Sequence, residues 1–301
     1  MNDILKKYDD IDYRIMDIES CRESYDEFLK KLKGKRALGK GNEYEIEGEG
    51  LDEISNKYGF YPRTAIVLFV PFMTEEKARV SEGANLSSHA HAFSRDYHMI
   101  VKKIMNEIVD DIKAEHHEAG FLIQCDNGPL NERFFAYASG LGKTGMNSMI
   151  INDIFGSYGF IGLIITDISS KEHITASLQC IKCDRCIRQC PSGAISSDGV
   201  DFSRCISYLT QKKTIDSFEE TLLKKQNKVF GCDVCQDVCP ENKNKKYSNI
   251  EDFSRDLLYN IELGEIYDIS NREFRRKFSD RNFSWKGKNI IVRNIMTGRD
   301  K

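Results

Sequence analysis

Ten cysteines stand in this chain, and eight of them fall into one pattern between positions 180 and 239. Cys180, Cys183, Cys186 and Cys190 precede Pro191, Cys205 stands alone, and Cys232, Cys235 and Cys239 precede Pro240. The first run is the C-x2-C-x2-C-x3-C-P arrangement, in which three thiolates close on one iron-sulfur cube and the fourth crosses to a second. The second run lacks its first cysteine, and Cys205 replaces it. The spacing predicts two [4Fe-4S] clusters, one on Cys180, Cys183, Cys186 and Cys239, the other on Cys190, Cys205, Cys232 and Cys235. Two-residue gaps set successive sulfurs on one concave turn. A proline after each crossing cysteine redirects the chain and removes a backbone donor. Zinc sites use C-x2-C pairs without the third cysteine and the Cys-Pro. Disulfides would go with an export signal, which the N-terminus does not resemble. Cys21 and Cys125 lack partners at ligand spacing and read as buried thiols.

Two clusters in series carry electrons, so another part of the chain must supply the acceptor. Asp126, in Asp126-Asn127-Gly128-Pro129, sits where a strand passes into a tight polar loop and is the leading candidate acid; the competing reading is an Asx-type cap of the next helix. Arg133 lies about two turns further on and either points back to the same cleft or is a surface charge. Arg95-Asp96-Tyr97-His98 packs polar groups into one helical turn, where His98 and Tyr97 are candidate proton donors or core residues with satisfied polar tips. Gly140, Gly142 and Gly145 spell G-x-G-x-x-G, but the loop follows a helix and opens none, so a dinucleotide reading lacks its phosphate-binding helix. Close approach of another ligand to the backbone is the better account. His89, His91, His116 and His117 are assigned to no metal.

These residues need elements to position them. At 301 residues with 40% hydrophobic content, the chain can bury a core and form one or two domains. Thr64 to Phe72 reads as a strand covered on both faces. Phe93, Tyr97, Ile100, Ile104, Ile108 and Ile112 repeat at helical spacing across a helix from about 90 to 116. Strands are expected at 13–18, 121–125, 148–151 and 160–166, and helices at 22–33 and 130–139, with a glycine-rich acidic link over 34–50. The sum is a mixed α/β (α+β) layer domain. The domain plan is 1–170 for the catalytic part, 171–250 for a ferredoxin-like part and 251–301 for a basic helical segment. Net charge is only −3, but residues 271–301 hold ten Lys or Arg against three acids. Phe274, Phe278, Phe283 and Trp285 are interleaved with them. That tail is either an amphipathic helix with its rings inward or a surface for phosphate backbone and stacking bases. No stretch approaches the ~20 apolar residues of a membrane span, and cysteine usage suggests a reducing cytoplasm.

Taken together, these stretches resemble the epoxyqueuosine reductase family. The resemblance is carried by R-D-Y-H at 95–98, D-N-G-P-L-N-E-R at 126–133, G-L-G at 140–142 with Gly145 and Asn147, and G-S-Y-G-F at 156–160. It continues with I-I-T-D at 164–167, R-C-I-S-Y-L-T at 204–210, G-C-D-V-C-Q-D-V-C-P at 231–240, and R-N at 293–294. It implies a nitroreductase-like, reductive-dehalogenase-like corrinoid domain followed by a bacterial ferredoxin-type two-cluster domain. It also implies cobalamin bound base-off, a substrate tRNA carrying epoxyqueuosine, and an external low-potential reductant such as flavodoxin or ferredoxin. Carried over by position, Asp126 is the proton donor. Tyr97, His98 and Arg133 line the cavity, with the Gly140, Gly142 and Gly145 loop against the cofactor. The reaction implied is two-electron opening of an epoxide to an alkene with loss of water. Lys143 and Met146 depart from the family's usual aromatic and lysine, and Leu163 stands where a glutamate is common. The C-terminal helical repeats of some members have no counterpart. These departures keep open a corrinoid/iron-sulfur reductase of another substrate, and the bare clusters a non-catalytic electron-transfer or corrinoid-reactivating protein.

Overall fold

Thr64–Pro71 carries TAIVLFVP, and every one of its residues is buried in the computed structural model. A fully apolar strand needs cover on both faces, so it takes a central place in a sheet. That is where it lies: four antiparallel strands run in the order β1 (Asp12–Asp17), β2 (Thr64–Pro71), β4 (Gly159–Thr166), β3 (Phe121–Gln124). Thr64 pairs with Thr166, and Leu122 with Ile165. The structure describes residues 1–37, 48–75, 85–87, 95–171 and 179–299. They divide into two compact units, the first made of 1–71, 98–145 and 149–181, the second of 72–97, 146–148 and 182–301.

In the first unit, helix α1 (Arg22–Ala37) and helix α4 (Glu132–Ala138) pack on one face of the sheet. Tyr25, Leu29 and Phe135 join Val67, Phe69, Leu163 and Ile165 in one core. Helix α3 (Tyr97–Lys113) buries Tyr97, Ile100, Ile108 and Ile112 of the stripe its spacing predicts, leaves Ile104 half-buried and adds Val101 and Met105 to the core; it starts later than residue 90, and Phe93 lies outside the described residues. Helix α2 (Leu51–Tyr58) falls just past the glycine-rich link, in a stretch where its two buried apolar residues, Leu51 and Ile54, give too little periodicity to announce it. Local chemistry marks it instead. The Gly50 N–H donates to Glu53 at 3.1 Å, and Gly59 ends the helix in the left-handed region at φ 75°.

The second unit pairs a short strand, Asn85–Leu86, in parallel with β5 (Lys228–Phe230). Leu86, Phe230, Phe274, Phe278, Phe283, Ile291 and Ile295 form its core. The tail's phenylalanines therefore point inward, with Phe274, Phe278 and Phe283 in ring contact at 5.0 to 6.3 Å. Trp285 stays 58% exposed.

Candidate functional site: a carboxylate loop and a cysteine array

The loop after β3 is held by its own side chains. Gln124, the last residue of the strand, is 1% exposed. Its amide nitrogen donates to the Leu130 carbonyl at 2.6 Å, and its amide oxygen accepts from the Leu130 N–H at 2.9 Å. A buried amide must be satisfied, and this one closes residues 125–130 into a tight arch. Gly128 lies directly over it, where a Cβ would come within 2.1 Å of the Gln124 side chain. On that arch Asp126 adopts φ 64°, the left-handed region, and its side chain is 60% exposed. Asp126 does not cap the helix that follows. Asn131 does, its side-chain oxygen accepting from the Phe134 N–H at 3.0 Å.

Polar groups gather around Asp126. His98, on the first turn of α3, places Nε2 3.4 Å from Asp126 Oδ2, and Asn127 Nδ2 lies 3.4 Å from the same ring nitrogen. Nε2 donates to an ionised Asp126, or accepts from Asn127 or a protonated Asp126, so this nitrogen changes role with one proton. Glu132 Oε1 accepts the backbone N–H of Asp126 at 2.7 Å. Burial, and then the neighbouring charge of Asp126, push the Glu132 carboxyl from 4.5 up to about 8. Its place in the first turn of α4 acts the other way, but a helix terminus contributes only about 0.3–1 kcal/mol, less than one pKa unit, whereas desolvation moves a carboxyl by several. Burial wins. The raised carboxyl of this loop is therefore Glu132, which spacing alone did not single out, because its burial depends on how the arch folds back over β3.

The other candidates are placed as follows. Arg133 is exposed on α4, and Tyr97 is buried at the start of α3. Arg95 forms an ion pair with Asp256 at 2.8 Å. In the glycine loop, Gly140 has φ 70°. Gly142 lies so close to the strand Ile150–Ile151 that a Cβ would meet Ile150 Cγ2 at 2.6 Å and the Ile151 carbonyl at 2.8 Å. Gly145 donates its N–H to the Met149 carbonyl at 2.8 Å. Lys143 faces Asp153 at 3.7 Å. His89 and His91 lie outside the described residues.

None of the ten cysteines is in a disulfide; Cys21 and Cys125 are buried and the other eight half-exposed. In the second unit, Cys190, Cys205, Cys232 and Cys235 share one electrostatic neighbourhood. Burial raises Cys205, with Cys190 adding to it. Burial pushes Cys232 up to about 12, aided by Cys205, Asp233 and Cys190, and Cys235 is raised by burial and then by Cys232, Cys205 and Cys190. Cys190 differs: burial pushes it up, but hydrogen bonds from Ser192, Ala194 and Ile195 outweigh that and hold it below the ordinary thiol value. The quartet matches the second set expected from the spacing. Four like charges gathered in partly dry surroundings suit thiolates that bind iron, since iron takes up the charge that otherwise disfavours them. The short helices α5 (Arg185–Gln189) and α6 (Val234–Asp237), which carry Cys186 and Cys235, pack against each other. Beside Cys232, buried Asp233 bonds to the Ser87 hydroxyl and lies 3.4 Å from Lys228 Nζ. Among the described residues, no group of three or more His, Cys, Asp or Glu converges as for a single metal ion.

The R-N pair near the end supports this array. The Arg293 guanidinium donates to the carbonyls of Leu209, Lys212 and Lys213, and Asn294 Nδ2 donates to Thr210 and Val229 at 2.8 Å each. Leu209 ends the helix Ile206–Leu209, which begins immediately after Cys205.

Residues 179–242 match the family model of a 4Fe-4S double cluster binding domain, a span that contains all eight patterned cysteines. An epoxyqueuosine reductase of Lactococcus garvieae is 32% identical over 235 residues, covering 77% of this chain and 66% of that protein. One from Bacillus subtilis is 32% identical over 77% of this chain and 61% of its own length. The solved epoxyqueuosine reductase of Streptococcus thermophilus superposes with TM-score 0.82 at 24% identity, covering 99% of this chain and 80% of that one. Another, solved with an epoxyqueuosine-modified tRNA-Tyr stem loop, gives 0.78 at 24% identity over 95% and 76%. The sequence likeness reaches across both units, and the fold likeness across nearly the whole chain. The chain spans 61 to 66% of the length of these two curated relatives and is similar to the epoxyqueuosine reductases in sequence and in fold.

Proposed function

We propose that this chain reduces epoxyqueuosine to queuosine in tRNA, with electrons carried by two [4Fe-4S] clusters and cobalamin as the cofactor that meets the epoxide. The observation that carries the proposal is the gathering of His98 and Glu132 about Asp126 on an arched loop, in a chain with a matched double-cluster segment. Opening an epoxide to an alkene takes two electrons and two protons and releases water. Asp126, exposed and next to an imidazole that can hold or release a proton, is the group suited to protonate the departing oxygen. His98 and Asn127 orient it.

The sheet unit is taken as the corrinoid domain, of nitroreductase-like or reductive-dehalogenase-like kind, within residues 1–170. Residues 171–250 are taken as the electron-carrying part and 251–301 as its basic extension. The donor set suits a corrinoid bound base-off. Such a cofactor brings its own macrocycle nitrogens and asks the protein for hydrogen-bonding groups, here Tyr97, His98, Asn127 and Arg133, and for a close backbone surface, here Gly140, Gly142 and Gly145. When bound, cobalamin supplies the low-potential, carbon-directed chemistry that side chains lack. Cys180, Cys183, Cys186 and Cys239 are proposed to hold one cluster, and Cys190, Cys205, Cys232 and Cys235 the other. An external low-potential reductant such as flavodoxin or ferredoxin feeds them, which suits a cytoplasmic setting. A corrinoid/iron-sulfur reductase of another substrate is the second reading, favoured by Lys143, whose ammonium faces Asp153 where relatives carry an aromatic ring.

The test is anaerobic purification followed by iron and sulfide analysis and a spectral titration with cobalamin. Two clusters with stoichiometric corrinoid binding support the proposal. Two clusters without corrinoid binding would reduce the protein to an electron carrier.

A further inference from the structure

Asp126 is poorly placed to keep a proton by itself. Its side chain is 60% exposed and open to exchange with water. The group that does hold a proton at neutral pH is six residues away. Glu132 Oε1 takes the Asp126 N–H at 2.7 Å, so the two residues are joined through the arch. Resting on the proposed role of Asp126 as general acid, we propose that Glu132 is the proton-storing and positioning partner of Asp126: it holds the Asp126 backbone in the left-handed conformation and hands the Asp126 carboxylate the proton delivered in each turnover.

The surroundings of Glu132 suit that role. Burial and the Asp126 charge hold its carboxyl protonated up to about pH 8, opposed by the Gln124 amide, the Asp126 N–H and the positive charge of Arg133. From α3, His98 faces Asp126. On the other side of the helix start, the Tyr25 hydroxyl accepts the Asn131 N–H at 3.1 Å and brings no charge. Two carboxyls that share one neighbourhood cannot both ionise freely. One proton is therefore kept by the pair, lodged on the drier member. The balance is simple. Glu132 passes its proton to the Asp126 carboxylate and becomes charged, Asp126 gives that proton to the epoxide oxygen and returns to a carboxylate, and a proton from water restores Glu132. No electron moves in these steps.

The role also explains the left-handed backbone. A non-glycine residue at φ 64° is held there only if its surroundings over-determine it. The bond from Asp126 N–H to Glu132 supplies one such restraint, and Gln124 closing the arch supplies another.

The experiment compares Glu132→Gln, Glu132→Ala and Asp126→Asn in the cluster-loaded, cobalamin-bound protein, by single-turnover rates on epoxyqueuosine tRNA across pH 6 to 9. Infrared difference spectra follow the protonated carboxyl band over the same range. Glutamine keeps an acceptor for the Asp126 N–H but stores no proton. Glu132→Gln is expected to lower the turnover rate about tenfold or more with KM for the tRNA unchanged. It should also remove both the fall in rate and the loss of the carboxyl band near pH 8 that the unaltered protein shows. Glu132→Ala should lose further activity through the freed backbone. If Glu132→Gln kept the full rate and the same alkaline limb, Glu132 would be a backbone anchor alone and the storage role would be overturned. If Asp126→Asn turned over at the full rate, the general-acid reading itself would fall, a result that Glu132→Gln cannot mimic.

Discussion

Holding a non-glycine residue at φ 64° costs about 1–2 kcal/mol, and at Asp126 that cost falls on the residue proposed as the general acid. The position was legible because D-N-G-P marks a strand-to-loop transition. What the residue does there was not, since a helix cap and an acid share the same local sequence. The structure removes the cap reading, because Asn131 is the cap. On the proposed mechanism, Asp126→Asn should keep iron content and cobalamin binding while turnover falls by about 10² or more, as measured by nucleoside analysis of the product tRNA. Glu132 adds a prediction in stability. Its carboxyl is raised from 4.5 to about 8 in the folded chain, so between those values the folded state holds a proton that the unfolded state has released. Folding is then favoured at the acid end of the window and weakens as pH rises through it, by up to about 1.4 kcal/mol per unit. Denaturant midpoints at pH 5.5 and 7.5 should differ in the unaltered protein and draw together in Glu132→Gln. Equal shifts in both would place the proton elsewhere.

Elements were legible where composition leaves one choice. The apolar run of β2 admits only a covered strand, and the α3 stripe only a buried helical face. Helix α2 was not legible, because its signals are a backbone bond to Glu53 and a left-handed Gly59, and neither shows as periodicity. The proposed grouping of Cys190, Cys205, Cys232 and Cys235 rests on spacing, because chain topology at Cys-Pro leaves few ways to share eight thiolates between two clusters. The fastening of the helix after Cys205 could not, since it comes from Arg293 and Asn294, far along the chain. On the proposed ligand sets, Cys205→Ala should lose about half the iron and Cys21→Ala none, by iron and sulfide assay; full iron in the first variant would contradict the assignment. Arg293→Ala should leave the carbonyls of Leu209 and Lys212 without their charged donor, at about 1–3 kcal/mol. Thermal unfolding followed at the cluster absorbance should shift down accordingly, and an unchanged midpoint would show that the clamp adds nothing to stability.

Over the whole molecule, net charge says little and its distribution says more. The tail holds ten basic residues, and those whose side chains the structure describes separate once folded. Arg281 and Arg293 turn inward to backbone carbonyls, while Arg272, Arg275 and Arg276 stay exposed on the helix Asn271–Lys277, and Trp285 presents a ring stacked by Lys286 at 3.8 Å. Sequence posed packing against nucleic-acid binding as alternatives. The fold satisfies the first with the phenylalanines and leaves the second to the exposed arginines and Trp285. Replacing Arg272, Arg275 and Arg276 together should weaken tRNA binding and reduce its salt slope by about 0.7–0.9 for each phosphate no longer neutralised; a slope that stays constant would return the tail to a purely structural role. The most direct measurement is incubation of the anaerobically purified protein with epoxyqueuosine-containing tRNA, cobalamin and a strong reductant, followed by nucleoside analysis. Queuosine should appear, should require both cobalamin and reductant, and should be almost abolished by Asp126→Asn. Unaltered epoxyqueuosine from a protein holding both clusters and cobalamin would contradict the proposed activity.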